Sequence, residues 1–193
     1  MICGIVGVLH DENKYLVKRY GSVKGIGKTM FLTWLCALDK TFGRRVITNY
    51  TTCFTEKMTL RQAIEKIKEE NIRNATLGMT EFHQILSNYE KKSRKEFYSE
   101  FIRQIRKYNI NLYWDSQLEG DINKTMRNET DFIWTTEKYH KDNNSLCVID
   151  ICERPHYIKA FKVRPEPYIP LPFCIDCEIF GQMYNTREIL VRE

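Results

Sequence analysis

The sequence predicts an α/β fold in which a mostly parallel sheet is flanked by helices. Strand-like apolar segments alternate with segments of helical periodicity as far as about Asp131, which is the order expected of parallel strands joined by helices. A Gly-Lys-Thr triplet stands directly before one of these helical segments. The 193 residues, 42% of them hydrophobic, suffice for one core. We therefore expect a single domain over residues 1–193.

Each element of the predicted core follows from a local pattern. Runs rich in β-branched and aromatic residues predict strands over residues 14–20, 45–50 and 110–114, and residues 75–79, ATLGM, are predicted to form a further short strand. Helical spacing of apolar residues predicts helices over residues 28–40 and 95–108. A further helix is expected after Thr59, because Gln62 completes a capping box and an apolar stripe follows. That stripe consists of Leu60, Ile64 and Ile67. The core is thus expected over about residues 14–137.

The pattern changes in the last third of the chain. Residues 132–139, 146–152 and 156–163 are typical of strands joined by hairpins. The stretch RPEPYIPLPF contains four prolines, which predicts extended irregular chain. We expect C-terminal β-hairpin additions and a proline-rich strap, at about residues 138–193, attached to the core.

Cysteine usage and the apolar runs favour a cytoplasmic protein. The seven cysteines are an odd number and only Cys174 and Cys177 are closely spaced, so a secreted disulfide framework is not expected. Buried free thiols are the expectation, and a Cys174–Cys177 disulfide is an alternative. A second alternative is a zinc site formed by Cys147, Cys152, Cys174 and Cys177. The apolar run at residues 2–9 is about half the ~20 residues of a membrane helix, so no membrane segment is expected.

Positive charge is concentrated in one segment. The formal net charge is +5, and residues 91–107 hold seven basic and two acidic residues, which accounts for the whole excess. Such a face can follow a phosphate backbone, and Lys91, Lys92 and Lys95 are the residues predicted to contact nucleic acid. A solvated helix face explains the same charges equally well.

Residues 22–29, SVKGIGKT, match a phosphate-binding (Walker A) loop in which Ser22 replaces the first glycine. In such a loop, backbone N–H groups surround the phosphates, the lysine reaches the β- and γ-phosphates, and the hydroxyl residue binds Mg²⁺. Lys28 and Thr29 fit these roles, so ATP and Mg²⁺ are the expected cofactors. The residues predicted to contact the nucleotide are Ser22, Gly25, Ile26, Gly27, Lys28, Thr29 and Met30.

An acidic residue follows the predicted strand at residues 75–79. Hydrolysis requires a residue that positions the attacking water, and Glu81 is the candidate. An exposed acid without a catalytic role is the alternative. Thr80 stands where many ATPases carry the carboxylate that supports Mg²⁺, so weaker metal binding is expected. His83 lies two residues further on and is expected to be an ordinary loop histidine.

The order of these features resembles the FtsK–HerA branch of P-loop ATPases, and within it the genome-packaging ATPases of archaeal viruses and the Zot-like phage ATPases. The matching pieces are VKGIGKT, VITNYTT, TEFH, SRKEF, YWDSQ, DINKTMR and IFGQMYNTREI, which cover roughly residues 14–190. The resemblance implies a RecA-like core that assembles as a ring, pentameric or hexameric, and moves double-stranded DNA with ATP hydrolysis. It also implies capsid or portal-vertex partners and a location in the host cytoplasm.

The resemblance also assigns roles to three residues. Gln117 falls where this branch carries a polar sensor of the γ-phosphate or the attacking water. Arg94 and Arg127 fall on two arginines of the family pattern, either of which can reach a neighbouring subunit's nucleotide as an arginine finger. An exposed surface charge is the alternative for each arginine.

Two other classes of protein fit the sequence. One is a nucleotide-binding assembly protein with slow or no hydrolysis, which Thr80 favours. The other is a DNA-binding module whose phosphate-binding loop is vestigial, which the basic segment at residues 91–107 favours. A DNA-translocating ATPase that packages a viral genome is the main hypothesis.

Overall fold

The computed structural model describes residues 1–7, 27–86, 92–117, 122–138, 145–152, 173–176 and 182–183. Its strands are β1 Ile2–Gly7, β2 Arg45–Thr48, β3 Glu56–Lys57, β4 Ala75–Met79, β5 Asn111–Ser116, β6 Phe132–Lys138, β7 Ser145–Cys152 and β8 Phe173–Asp176. Its helices are α1 Lys28–Thr41, α2 Leu60–Glu69, α3 Phe82–Ile85, α4 Lys92–Gln104 and α5 Lys124–Glu129, with a 3₁₀ turn at Ile105–Tyr108.

Within these residues the strands form one sheet in the order β3-β2-β4-β5-β1-β6-β7-β8. All pairs from β3 to β6 are parallel. The pairs β6–β7 and β7–β8 are antiparallel. The prediction of a mostly parallel sheet flanked by helices is confirmed. The connections between the last three strands lie outside the described residues, so the C-terminal hairpins stay a prediction.

Strands β1, β2, β4 and β5 contribute buried residues to both faces of the sheet. One face packs against α1, through an apolar cluster that includes Phe31 and Leu32. The other face packs against α2, α4 and α5, through a larger cluster that includes Ile64, Phe101 and Met126. Every residue of β4 is buried, as expected of a central parallel strand covered by helices on both faces. Because the strands run parallel, their carboxyl ends share one edge of the sheet.

β1 occupies a central place in the sheet, between β5 and β6. No strand was predicted for these residues, and the core was expected to begin near residue 14. That boundary was wrong, because β1 begins the sheet at Ile2. Gly4 pairs with Trp114 of β5, and a Cβ on Gly4 would lie 2.3 Å from an atom of the Trp114 ring. Glycine is required here because the indole ring covers its backbone.

The helix predictions agree with the structure to within a few residues. α1 begins where the Gly-Lys-Thr triplet predicted it. α2 has the expected capping box, in which the Thr59 hydroxyl accepts from Gln62 N and the Gln62 side chain accepts from Thr59 N. α4 begins at Lys92, three residues earlier than predicted, and gives way to the 3₁₀ turn at Ile105. Among the described helices, none combines the length and apolar character that crossing a bilayer requires.

Several predictions fall on residues outside the described part of the chain. These are the strands at residues 14–20 and 156–163, and nearly all of the proline-rich strap at residues 164–173. The zinc and disulfide alternatives also stay untested, because Cys177 lies outside the described residues. Cys3, Cys36 and Cys53 are free thiols.

An ion-pair network ties the short edge strand β3 to β2 and α2. Arg45 donates to both oxygens of Glu56, at 2.6 and 2.8 Å, and Lys66 Nζ lies 3.3 Å from Glu56 Oε2. Hydrogen bonds from Arg45 lower the pKa of the Glu56 carboxyl from its ordinary value of 4.5 to about 2. The folded state therefore favours the ionised carboxylate.

Glu56→Gln is expected to lower the free energy of unfolding at neutral pH by up to about 1 kcal/mol, since solvent screens this half-exposed pair. The lowered folded-state pKa makes the contribution complete above about pH 4.5, and it is lost as the pH falls through about 2. Urea unfolding of wild type and variant between about pH 7 and pH 2 measures this. Exposed Glu69→Gln is the control, and a difference between wild type and Glu56→Gln that does not shrink in acid would contradict the assignment.

Candidate nucleotide site

The first turn of α1 lies at the carboxyl edge of the sheet. Gly27 precedes the helix with φ +83°, a left-handed conformation that glycine adopts without strain. Lys28 and Thr29 are the first two residues of α1, and Lys28 is only 7% exposed. Four helical N–H groups at such a terminus lack intrahelical partners and attract anions. The start of α1 is therefore suited to phosphate.

The side chains of Thr80 and Asp115 meet beside Thr29. The Thr29 hydroxyl donates to Asp115 Oδ2 at 2.9 Å and lies 3.2 Å from the Thr80 hydroxyl. Thr80 in turn lies within hydrogen-bond distance of both Asp115 oxygens, at 3.0 and 2.9 Å. Thr80 follows β4 directly, and Asp115 is the fifth residue of β5, the neighbouring strand. We call Thr29, Thr80 and Asp115 the carboxylate cluster. It connects α1 to the carboxyl ends of β4 and β5.

The turn after β4 is held from two sides. Asn49, which follows β2, donates from its amide to Thr80 O at 3.0 Å and accepts from Thr80 N at 2.9 Å. Glu81 N donates to Asp115 Oδ1 at 2.8 Å. The backbone of Thr80 and Glu81 is thereby fixed relative to β2 and β5.

Glu81 has a left-handed backbone, with φ 52° and ψ 43°, which is uncommon for a residue with a side chain. Such conformations persist where the surroundings enforce them and are frequent at functional sites. Glu81 Oε2 is buried and makes no hydrogen bond with the described residues, although His83 Nε2 lies 3.4 Å away. His83 Nδ1 lies 3.3 Å from the Ser116 hydroxyl. A buried carboxylate oxygen with free acceptor capacity is suited to binding a water molecule.

Asp115 is fully buried. Burial raises the pKa of its carboxyl, whereas the hydrogen bonds from Glu81 N–H, Thr29 and Thr80 and the positive charge of Lys28 act in the opposite direction. A buried acid is costly unless hydrogen bonds satisfy it, and here three groups donate to it. The fold thus keeps one buried carboxylate, stabilised by hydrogen bonds, at the edge of the sheet where the phosphates are expected.

The structure brings part of the predicted site together. The start of α1, with Gly27 directly before it, contains Lys28, Thr29 and Met30. Glu81 is linked to it by Asp115, which accepts hydrogen bonds from both Thr29 and Glu81 N. Gln117 is half-buried and directly follows β5 at the same edge of the sheet. Ser22, Gly25 and Ile26 lie outside the described residues.

The predicted arginines and the basic segment lie on other elements. Arg127 is on α5, half-buried, and its Nε is buried without a hydrogen-bond partner in the described part of the chain. Arg94, Lys92 and Lys95 are on the first turn of α4, where the structure describes the helix and not these side chains. Lys91 lies outside the described residues. The DNA-contact prediction is therefore untested.

Three residues of the site were not predicted from the sequence: Asn49, Asp115 and Ser116. Each follows or ends a strand whose carboxyl end lies at the edge that carries Thr29. A signal for Asp115 was present, since an acid at the end of an apolar strand is unusual and position 80 lacked its acid. The signal for Asn49 was its place directly after β2.

The residues fit a nucleotide with a divalent cation. Mg²⁺ prefers oxygen ligands and is commonly held by one or two protein groups together with substrate phosphates and water. The Thr29 hydroxyl and the Asp115 carboxylate supply oxygen donors beside the phosphate-binding end of α1. No group of three or more His, Cys, Asp or Glu side chains among the described residues could hold a metal ion without such help.

Comparison with known proteins identifies the fold. No protein-family model and no curated protein matches the sequence. Among solved structures, the N-terminal domain of zonular occludens toxin from Neisseria meningitidis is 16% identical, with 95% of this chain and 98% of that chain covered and a TM-score of 0.57. The genome packaging NTPase B204 from Sulfolobus turreted icosahedral virus 2, in complex with ATP-gammaS, is 12% identical over 95% of both chains, with a TM-score of 0.46. The described residues therefore share the α/β fold of the zonular occludens toxin domain.

Proposed function

We propose that this protein is an ATPase that uses Mg²⁺ and has a RecA-like core. The observation that carries the proposal is the contact of Thr29, in the first turn of α1, with a buried carboxylate that also holds Glu81 N–H. In this proposal the start of α1 binds phosphate, the Thr29 hydroxyl binds the cation and Glu81 holds the water, and the three groups lie at one edge of the sheet. A protein that only bound phosphate would need the first of these features alone.

Lys28 and the N–H groups of the loop and of α1 hold the triphosphate in this proposal. Lys28 is nearly buried, so its charge is screened less by water and acts more strongly on the β- and γ-phosphates. Bound Mg²⁺ would neutralise charge on these phosphates and orient the γ-phosphate. Thr29 is the residue of this chain that would contact the cation.

Glu81 orients the attacking water and accepts its proton. The free acceptor capacity of Glu81 Oε2, and a backbone that Asp115 and Asn49 hold in place, support this role. Gln117, at the end of β5, is proposed to contact the γ-phosphate or the same water. Arg127 or Arg94 from a neighbouring subunit would stabilise the charge that develops as the γ-phosphate leaves.

Lys28→Ala is expected to weaken ATP binding about 10- to 100-fold, because a hydrogen bond to a charged group contributes about 1.5–3 kcal/mol. Titration with a fluorescent ATP analogue measures the affinity. Lys40→Ala, which removes an exposed lysine from the last turn of the same helix, is the matched control and should bind like wild type. Equal affinities for Lys28→Ala and wild type would contradict a nucleotide site at the start of α1.

The biological role we propose is a ring-shaped, DNA-translocating motor that packages a viral genome. The sequence resemblance to the FtsK–HerA branch supports it, as does the basic segment at residues 91–107, which would follow the DNA backbone through Lys91, Lys92 and Lys95. The ring would be a pentamer or hexamer and would dock on capsid or portal-vertex proteins in the host cytoplasm.

A nucleotide-binding assembly protein with slow hydrolysis is the second candidate. Thr80 favours it, because the carboxylate usual at that position is absent. The two candidates differ in ATP turnover, which a motor requires at a rate that responds to DNA.

A further inference from the structure

Thr80 follows β4 where a P-loop ATPase is expected to carry a carboxylate, yet the same space contains a carboxylate from β5. Asp115 Oδ2 lies 2.9 Å from both the Thr29 and the Thr80 hydroxyl oxygens. β5 is the direct neighbour of β4 in the sheet, and Met79 pairs with Trp114, the residue before Asp115. Thr80 and Asp115 are therefore next to each other at the strand ends.

We propose that Asp115 takes over the role of the carboxylate missing at position 80 and orients the Thr29 hydroxyl for a divalent cation bound with the triphosphate. Asp115 is a positioning residue in this proposal, since it acts through Thr29. The inference rests on the proposed function, because it concerns the cation of the same ATP site. Under this inference Thr80 does not indicate weak metal binding, because the carboxylate expected at position 80 is supplied by Asp115 instead.

The direction of one hydrogen bond supports this role. A threonine hydroxyl has a single hydrogen and two lone pairs. The Thr29 hydroxyl donates its hydrogen to Asp115, so its lone pairs remain for other ligands. A metal ion binds through a lone pair, and a hydrogen pointing at it would repel it. Asp115 thereby holds Thr29 in the state that a cation requires.

The geometry also explains why position 80 lacks an acid. The Thr80 hydroxyl lies within 3.0 Å of both Asp115 oxygens. A second carboxylate at position 80 would place two negative charges in contact, and one of them would have to take up a proton. A threonine at this position instead donates its hydroxyl hydrogen to Asp115. Glu81 N–H donates to Asp115 Oδ1, and the two contacts of Thr80 add to this, so the carboxylate is held in place while Oδ2 accepts from Thr29.

The test compares ATP affinity in EDTA with ATP affinity in Mg²⁺, measured by titration with a fluorescent ATP analogue. Wild type is expected to bind more tightly in Mg²⁺. In Asp115→Asn the ratio of the affinity in Mg²⁺ to the affinity in EDTA should fall about 10- to 100-fold, as is typical when a residue that orients a metal ligand is removed. Asp39→Asn is the matched control, because Asp39 is a partly buried carboxylate that also accepts three side-chain hydrogen bonds, from Thr76, Asn111 and Tyr113. A purely structural effect would appear in both variants.

A double variant keeps the test decisive if Asp115→Asn does not fold. Thr80→Asp combined with Asp115→Thr exchanges the two side chains and keeps one carboxylate in the cluster, so it should retain most of the Mg²⁺ gain. Loss of the gain in this folded double variant would overturn the inference. So would an undiminished gain in Asp115→Asn, or ATP binding by wild type that Mg²⁺ does not change. If wild type binds no ATP in either solution, the proposed function itself is wrong.

Discussion

Glu81→Gln is expected to bind ATP like wild type and to lose about 10²- to 10⁴-fold in turnover. The range is the usual contribution of a positioned acid–base group. Glutamine keeps the size of the side chain and the backbone N–H that Asp115 accepts. It removes the negative charge that accepts the proton of the attacking water. Binding and turnover should therefore separate, which loss of the fold would not produce.

The measurement is steady-state ATP turnover together with ATP affinity for wild type and variant. Glu69→Gln, an exposed glutamate on α2, is the matched control and should turn over ATP at the wild-type rate. The free acceptor capacity of buried Glu81 Oε2 is the reason for the prediction. Turnover by Glu81→Gln at the wild-type rate would return Glu81 to the class of ordinary loop acids.

Arg127→Ala is expected to bind ATP normally and to lose about 10³-fold or more in turnover. An arginine finger contributes on this scale when it meets the γ-phosphate in a site that excludes water. Arg127 is on α5 and is half-buried, so part of its side chain is accessible to a neighbouring subunit. We expect its guanidinium to contact that subunit's nucleotide.

Mixing two inactive variants separates this role from a structural one. Arg127→Ala keeps an intact nucleotide site and Lys28→Ala keeps an intact arginine, so mixed rings should recover part of the activity. Specific activity of wild type should also rise with protein concentration. Arg73→Ala is the control, because it removes an exposed arginine that donates a hydrogen bond to Lys107 O. Activity that stays flat on dilution, with no recovery on mixing, would mean that each chain works alone.

The elements with strong local patterns were predictable. α2 follows from the Thr59–Gln62 capping box and its apolar stripe, and β4 from the short strand-like run ATLGM. β1 was missed because Gly4 and Gly7 weaken a strand pattern, and because the strand before the loop was expected at residues 14–20. Position 4 requires glycine because its backbone contacts the ring of Trp114, which lies far away in the sequence. A contact of this kind leaves no periodic signal around Gly4.

The site was predictable only where its residues belong to one continuous motif. Lys28 and Thr29 follow from the Gly-Lys-Thr triplet, and Glu81 from its place after β4. Asp115 could not be placed, because its contact with Thr29 depends on β5 lying beside β4. Strand order is a property of the whole sheet, which no local pattern contains. The absence of an acid at position 80 was therefore interpreted as weaker metal binding, although the neighbouring strand carries the carboxylate of Asp115.

The most direct test of the proposed motor is ATP turnover by the full chain in Mg²⁺, with and without double-stranded DNA, using Lys28→Ala to subtract background. A DNA-translocating ATPase should hydrolyse ATP above this background, and DNA should raise its rate, because in the proposed motor contact with DNA would order the ring that completes each site. A rate equal to that of Lys28→Ala would contradict the ATPase. Turnover that double-stranded DNA leaves unchanged would contradict the DNA motor.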